Sequence, residues 1–122
     1  MNKFHTRSER ISNEIKKTIA SILQKTIRNP KIKMTNVLDV KISRDLLYAK
    51  IFVTFLNLVN DKKKTIKNNI FLLNYLSGYI RFLLGKEIYL KILPQLFFIY
   101  DDSLDKGIMI SKIIRDVIYK KK

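Results

Sequence analysis

Two stretches of strict alternation joined by a short turn constrain the fold of this 122-residue chain more than any other feature. In Asn36–Ser43 the apolar Leu38, Val40 and Ile42 alternate with Asp39, Lys41 and Ser43. In Tyr48–Leu56, Ala49, Ile51, Val53 and Phe55 alternate with Tyr48, Lys50, Phe52 and Thr54. A period of two is the pattern of a half-buried strand, because successive side chains leave a pleated strand on opposite sides. Ser43-Arg44-Asp45-Leu46 reads as the turn, and two strands joined this closely are expected to pair antiparallel as a hairpin.

Helical periodicity flanks the hairpin. Ile11, Ile15, Ile19 and Ile22 recur at intervals of three and four, one face of a helix, with Thr6 and Glu9 spaced as a capping box at its start. This helix should stop before Asn29-Pro30, since a residue preceding proline is pushed out of the helical region. Asp61 is placed to cap a second helix running from Lys62 through Ile66, Ile70 and Leu73. Gly78 is expected to interrupt it, and the pattern resumes with Ile80, Leu83 and Leu84 to end near Gly85 as a C-terminal cap. Glu87–Tyr100 is a third strand region with Leu96, Phe98 and Tyr100 on one side, and Pro94 implies a sheet edge or a bulge. Asp101-Asp102-Ser103 caps a last helix whose face is Ile110, Ile113, Ile114 and Val117. The order α-β-β-α-kink-α-β-α predicts an α+β fold, with helices packed on one face of a three-stranded sheet. Residues 1–122 form one domain in this reading, with a folded core spanning about 6–118.

The charge balance narrows the function. Lys and Arg number 25 against 10 Asp and Glu, a net charge of +15. Such an excess repels itself and is favoured beside a polyanion, nucleic acid first and an anionic membrane surface second. The hairpin and its strand aromatics argue against a basic amphipathic helix lying on a membrane. The polar stretch Met1–Arg10 is no secretory signal, and no apolar run approaches a membrane span. The absence of cysteine excludes disulfides and thiolate chemistry and fits a cytoplasmic protein.

Nothing in the inventory makes an enzyme. His5 is the only histidine, which rules out the usual zinc sites and a Ser–His–carboxylate set, and no phosphate-binding glycine loop occurs. Asp101, Asp102 and Asp105 lack the spacing of a calcium loop and read as helix caps. No catalytic residue, metal, cofactor or small-molecule substrate is therefore expected.

The candidate binding residues are cationic or lie at the interhelical glycine. Ser77, Gly78 and Arg81 sit where two helices meet; a glycine admits a sugar–phosphate backbone closely, and helix N-termini suit phosphate oxygens. Lys86 follows beyond Gly85. Arg7 and Arg10 begin a basic series on the first helix, Arg44 lies in the hairpin turn, and Lys91 lies on the third strand. Phe52, Phe55, Phe97 and Phe98 have strand spacing and are expected in the core, as are Tyr79 and Tyr89, although those two tyrosines could instead stack on unpaired bases.

The element order, with a glycine between adjoining helices, is that of a type II KH domain, yet no GxxG clamp occurs. Arg10-Ile11-Ser12-Asn13-Glu14-Ile15, Ser43-Arg44-Asp45-Leu46-Leu47-Tyr48-Ala49-Lys50, Ser77-Gly78-Tyr79-Ile80-Arg81, Leu83-Leu84-Gly85-Lys86 and Tyr100-Asp101-Asp102-Ser103-Leu104 resemble the ribosome-binding factor A family in order and spacing. The resemblance runs from about Arg7 to Val117. It implies a type II KH fold whose GxxG is replaced by a kink of Ala-x-Gly type, here Leu76, Ser77 and Gly78, with a larger first residue where the helices cross. The family's acidic C-terminal extension has no counterpart before Lys122. The resemblance further implies a monomer that binds precursors of the small ribosomal subunit and their ribosomal RNA near its 5′ end. It would aid processing and maturation, above all in the cold, and leave before translation. The alternatives are a permanent structural ribosomal protein or a general RNA-binding module.

Overall fold

The structure, a computed structural model, describes residues 7–56, 58 and 61–103. Thr6 of the expected capping box and the last helix with Ile110–Val117 lie outside the described residues.

The first helix, α1 (Arg7–Ser21), buries Ile15 and Ile19, as its spacing requires. It does not run straight on to Asn29. From Ile22 to Thr26 it widens into a π-turn, closed by the Ile27 N–H donating to the Ile22 carbonyl at 3.2 Å. Ile22, Leu23 and Ile27 are all buried there. The helix ends at Thr26, with Ile27 already extended, and Asn29-Pro30 begins a further short helix. Asn29 accepts from the Lys31 N–H at 2.9 Å and Pro30 opens α2 (Pro30–Lys33), where a missing N–H costs nothing.

Strands β1 (Thr35–Ile42) and β2 (Tyr48–Phe55) form the expected antiparallel hairpin. The alternation of β1 is broken by a bulge between Val37 and Asp39. Val37 faces Val53 and Val40 faces Ile51, so Val37 and Val40 share the core face, while Leu38, expected there, is only half-buried.

After β2 come α3 (Lys62–Tyr75) and α4 (Ser77–Glu87). Asp61 caps α3, its side chain accepting from the Lys64 N–H at 3.4 Å from a left-handed backbone (φ 35°). The break between the helices is one residue, Leu76, and Gly78 lies inside α4 with an ordinary negative φ. Gly85 is likewise not a cap. It is interior to α4, where an added Cβ would stand 2.6 Å from Leu93 Cδ1, so its role is to let the next loop pack down on the helix.

Strand β3 is shorter than expected, Gln95–Tyr100, and lies parallel to β2 at the edge of a sheet ordered β1-β2-β3. Pro94 precedes it, which spares the ladder a missing donor. Ala49, Ile51 and Val53 line up with Leu96, Phe98 and Tyr100 on one face, and α1, α3 and α4 pack there with Ile15, Leu73, Ile80 and Leu84. The α+β arrangement of helices on a three-stranded sheet is the one expected.

Candidate nucleic-acid interface

One end of the molecule draws four segments around a small apolar pocket. Ile11 of α1, Ile42 at the end of β1, Leu46 of the hairpin turn, and Leu90, Ile92 and Pro94 of the loop before β3 line it together. The Gln95 N–H donates to the Leu47 carbonyl at 2.8 Å and ties that loop to the turn. These segments carry exposed cations: Arg7 and Arg10 beside Ile11, Arg44 beside Leu46, and Lys91 between Leu90 and Ile92. Side chains far apart in the chain are thereby carried on segments anchored to one apolar contact. A group of cations at one end of a body of charge +15 suits the backbone of a nucleic acid, whose affinity comes largely from phosphates.

The turn that presents Arg44 is held rigidly. Ser43 Oγ donates to Asp45 Oδ1 at 2.6 Å, the Leu47 N–H donates to the same oxygen at 3.1 Å, and the Tyr48 N–H donates to Ser43 Oγ at 3.1 Å. The Ser43 hydroxyl, and after it the Leu47 amide, hold the Asp45 carboxyl below its ordinary pKa. Leu46 takes the left-handed conformation (φ 63°) that lets the turn close.

Ser77, Gly78 and Arg81 are brought together, with Gln95, Leu96 and Phe97, around a cleft between the start of α4 and the edge strand. A Cβ added at Gly78 would meet nothing within 4 Å, so the helix backbone there is open to close approach. Arg81, expected as a cation at the helix junction, also holds protein backbone. It is half-buried, its Nε donating to the Pro94 carbonyl at 3.1 Å and its Nη2 to the Leu93 carbonyl at 2.7 Å. A guanidinium has five N–H donors, and these two fasten the loop that carries Lys91 against α4. Lys86 is exposed near the other end of α4, its Nζ 4.6 Å from the centre of the Phe82 ring.

The aromatics divide differently from their expected assignment. Phe55 and Phe98 are core, but Phe97 is exposed and Phe52 only half-buried, because both project from the sheet face opposite the helices. Tyr79 and Tyr89 are exposed, as are Phe71, Tyr75 and Phe82 on α3 and α4, which sequence reasoning did not single out. The available signal was their phase: Phe97 falls on the side of its strand opposite Leu96 and Phe98. Among the described residues no group of three or more His, Cys, Asp or Glu is placed to hold a metal ion, and Asp105 lies outside them. No helix among them is long and apolar enough to cross a membrane.

Residues 7–114 match the family model described as ribosome-binding factor A. A ribosome-binding factor A from Buchnera aphidicola subsp. Cinara cedri (strain Cc) is 48% identical over 118 residues, 96% of this chain and 100% of that protein. Among solved structures, a crystal structure of ribosome-binding factor A from Thermus thermophilus is similar with a TM-score of 0.66 at 16% identity, covering 78% of this chain and 97% of that one. A solution NMR structure of a Thermotoga maritima protein, described as a putative ribosome binding factor A, gives 0.64 at 27% identity over 81% and 91%. A Thermus thermophilus ribosome binding factor A homology model, fitted into a cryo-EM map of a complex with the 30S subunit, gives 0.59 at 16% identity over 75% and 91%.

Proposed function

We propose, from the premise that this chain belongs to the ribosome-binding factor A family, that it binds the small ribosomal subunit during assembly. It acts by binding rather than catalysis, on precursor subunits and their ribosomal RNA near the 5′ end, in the cytoplasm and as a monomer. It aids RNA processing and late maturation, most of all in the cold, when misfolded RNA rearranges slowly. A factor that prefers one RNA arrangement shifts the population toward it by differential affinity and needs no fuel.

The observation that carries this reading is the convergence of the segments bearing Arg7, Arg10, Arg44 and Lys91 on one apolar anchor. The Ser77–Gly78 cleft supports it, since the loop holding Lys91 is bonded to Arg81 in that cleft's wall. Phosphate contacts here position the protein without reading sequence. If roughly five phosphates are neutralised, affinity falls with salt at a log–log slope of about −3 to −5.

A sucrose gradient tests the reading. The protein should travel with precursors of the small subunit and be absent from polysomes. Retention on salt-washed mature subunits would instead mark a permanent ribosomal protein, and a flat salt response in filter binding to precursors would reject the phosphate interface.

A further inference from the structure

The face of the sheet that the described helices leave uncovered has an order that the fold alone does not reward. Across the three strands, Lys41, Lys50 and Phe97 stand in one row, and Asp39, Phe52 and Ile99 in the next. Like charges directly opposite on an antiparallel pair destabilise it, and Lys41 and Lys50 are such a pair. Tyr48 and Phe97, 46% and 45% exposed, bring their ring centroids within 5.9 Å at 43° to form a tilted aromatic platform. Lys41 Nζ lies 5.6 Å from the centre of the Phe52 ring. Water-facing rings interleaved with a repelling lysine pair suit a partner that offers both flat apolar surfaces and negative charge.

We infer that this open face is a stacking site for unpaired nucleotides of RNA, with Tyr48 and Phe97 under the bases and Lys41 and Lys50 toward the phosphates. The inference rests on the reading of the protein as an RNA-bound assembly factor and adds a second contact surface to it. Single-stranded RNA is favoured over a duplex because a duplex hides its base faces in its own stack, whereas a splayed base can lie on an aromatic ring. RNA is favoured over an acidic protein because every base offers a π-face to the rings and every linkage a phosphate to the lysines. The single acid of the two rows, Asp39, is turned to the backbone, accepting from the Val40 N–H at 2.8 Å. The platform also continues the interface already described: Phe97 lines the cleft with Ser77 and Gly78, while Tyr48 lines a groove with Lys41, Ser43 and Lys50. A strand of RNA can thus pass from the helix break over the edge strand and onto the sheet.

The test uses the full chain and a uridine decamer that forms no duplex. Fluorescence anisotropy should show that Tyr48→Ser with Phe97→Ser lowers affinity for the decamer about tenfold or more, with far-UV circular dichroism and the thermal midpoint little changed. Tyr48→Phe with Phe97→Tyr should retain binding, because a ring remains. Phe71→Ser with Tyr75→Ser on α3 should leave it unaltered. In the wild type, the ring resonances of Tyr48 and Phe97 should shift upfield on titration. Wild-type protein that binds subunit precursors but not the decamer, serine variants that bind as tightly as the wild type, or rings that do not shift would each overturn the stacking site alone. Failure of the wild type to sediment with precursors would instead remove the functional reading beneath it.

Discussion

The side-chain amide of Asn74 makes two hydrogen bonds with the backbone of Phe98: its Oδ1 accepts from the Phe98 N–H at 2.8 Å, and its Nδ2 donates to the Phe98 carbonyl at 3.1 Å. Phe98 lies in the edge strand, and its outward backbone groups would otherwise have no neighbouring strand to pair with. One helix side chain thus does at this position what a fourth strand would do, and it holds α3 against the sheet.

Replacing Asn74 should therefore cost stability in a characteristic order. Asn74→Ala leaves both backbone groups to water and should cost about 1 kcal/mol. Asn74→Asp keeps an acceptor for the N–H but sets a charged oxygen against the carbonyl, and should cost about 2 kcal/mol. Urea denaturation reads both, and equal stability of the two variants would contradict the paired geometry.

Arg81→Ala removes the donors that hold the Leu93 and Pro94 carbonyls. Hydrogen bonds from a charged group are worth about 1.5–3 kcal/mol, so the thermal midpoint should fall clearly. Arg81→Lys should recover only part of it, because an ammonium cannot match the guanidinium fork. Arg44→Ala should leave stability nearly unchanged and make the salt slope of RNA binding shallower by about one unit.

The two helix glycines should respond to different degrees. Gly78→Ala places a methyl in open space and gains helix propensity, so stability should rise by about 0.5 kcal/mol while affinity for precursor subunits falls. Gly85→Ala must turn the Leu93 Cδ1 methyl, the far end of a half-buried side chain, aside, which offsets part of the same propensity gain, so it should stabilise less than Gly78→Ala. Chemical denaturation beside precursor binding separates the two effects.

The hairpin turn should weaken in acid. Because hydrogen bonds lower the pKa of Asp45 in the folded state, its contribution is complete above the ordinary carboxylate pKa and is lost as pH falls through the lowered one. The stability difference between wild type and Asp45→Asn should therefore shrink as pH falls below the ordinary carboxylate pKa. A difference independent of pH would show that the ionised carboxylate is not what secures the turn.

Much of the architecture was legible because it rests on local patterns. The isoleucines of α1, the two strands of the hairpin and the Asp61 cap all reflect side-chain periodicity or a single capping residue. What was missed depends on partners distant in the chain or on backbone geometry with no residue signature. The π-turn at Ile22–Thr26 needs no particular amino acid, and the bulge at Leu38 is invisible because Leu38, Val40 and Ile42 continue a perfect alternation. Arg81 looks like any surface cation until the loop containing Leu93 folds back onto it. Of the candidate site, the cations could be named from the sequence, but that the segments bearing Arg10, Arg44 and Lys91 meet at one apolar contact is a property of the topology.

The parallel pairing of β2 with β3 has a consequence in time. A parallel neighbour cannot be reached by a tight turn, so all of α3 and α4 must be laid down before Gln95 meets Leu47. On a chain that emerges from its amino end, the hairpin can close early, but the third strand arrives last. A half-made copy lacks both the loop bearing Lys91 and the ring of Phe97. Under the proposed function, a full grip on RNA would therefore wait until synthesis has passed β3, and unfinished copies would compete poorly for it.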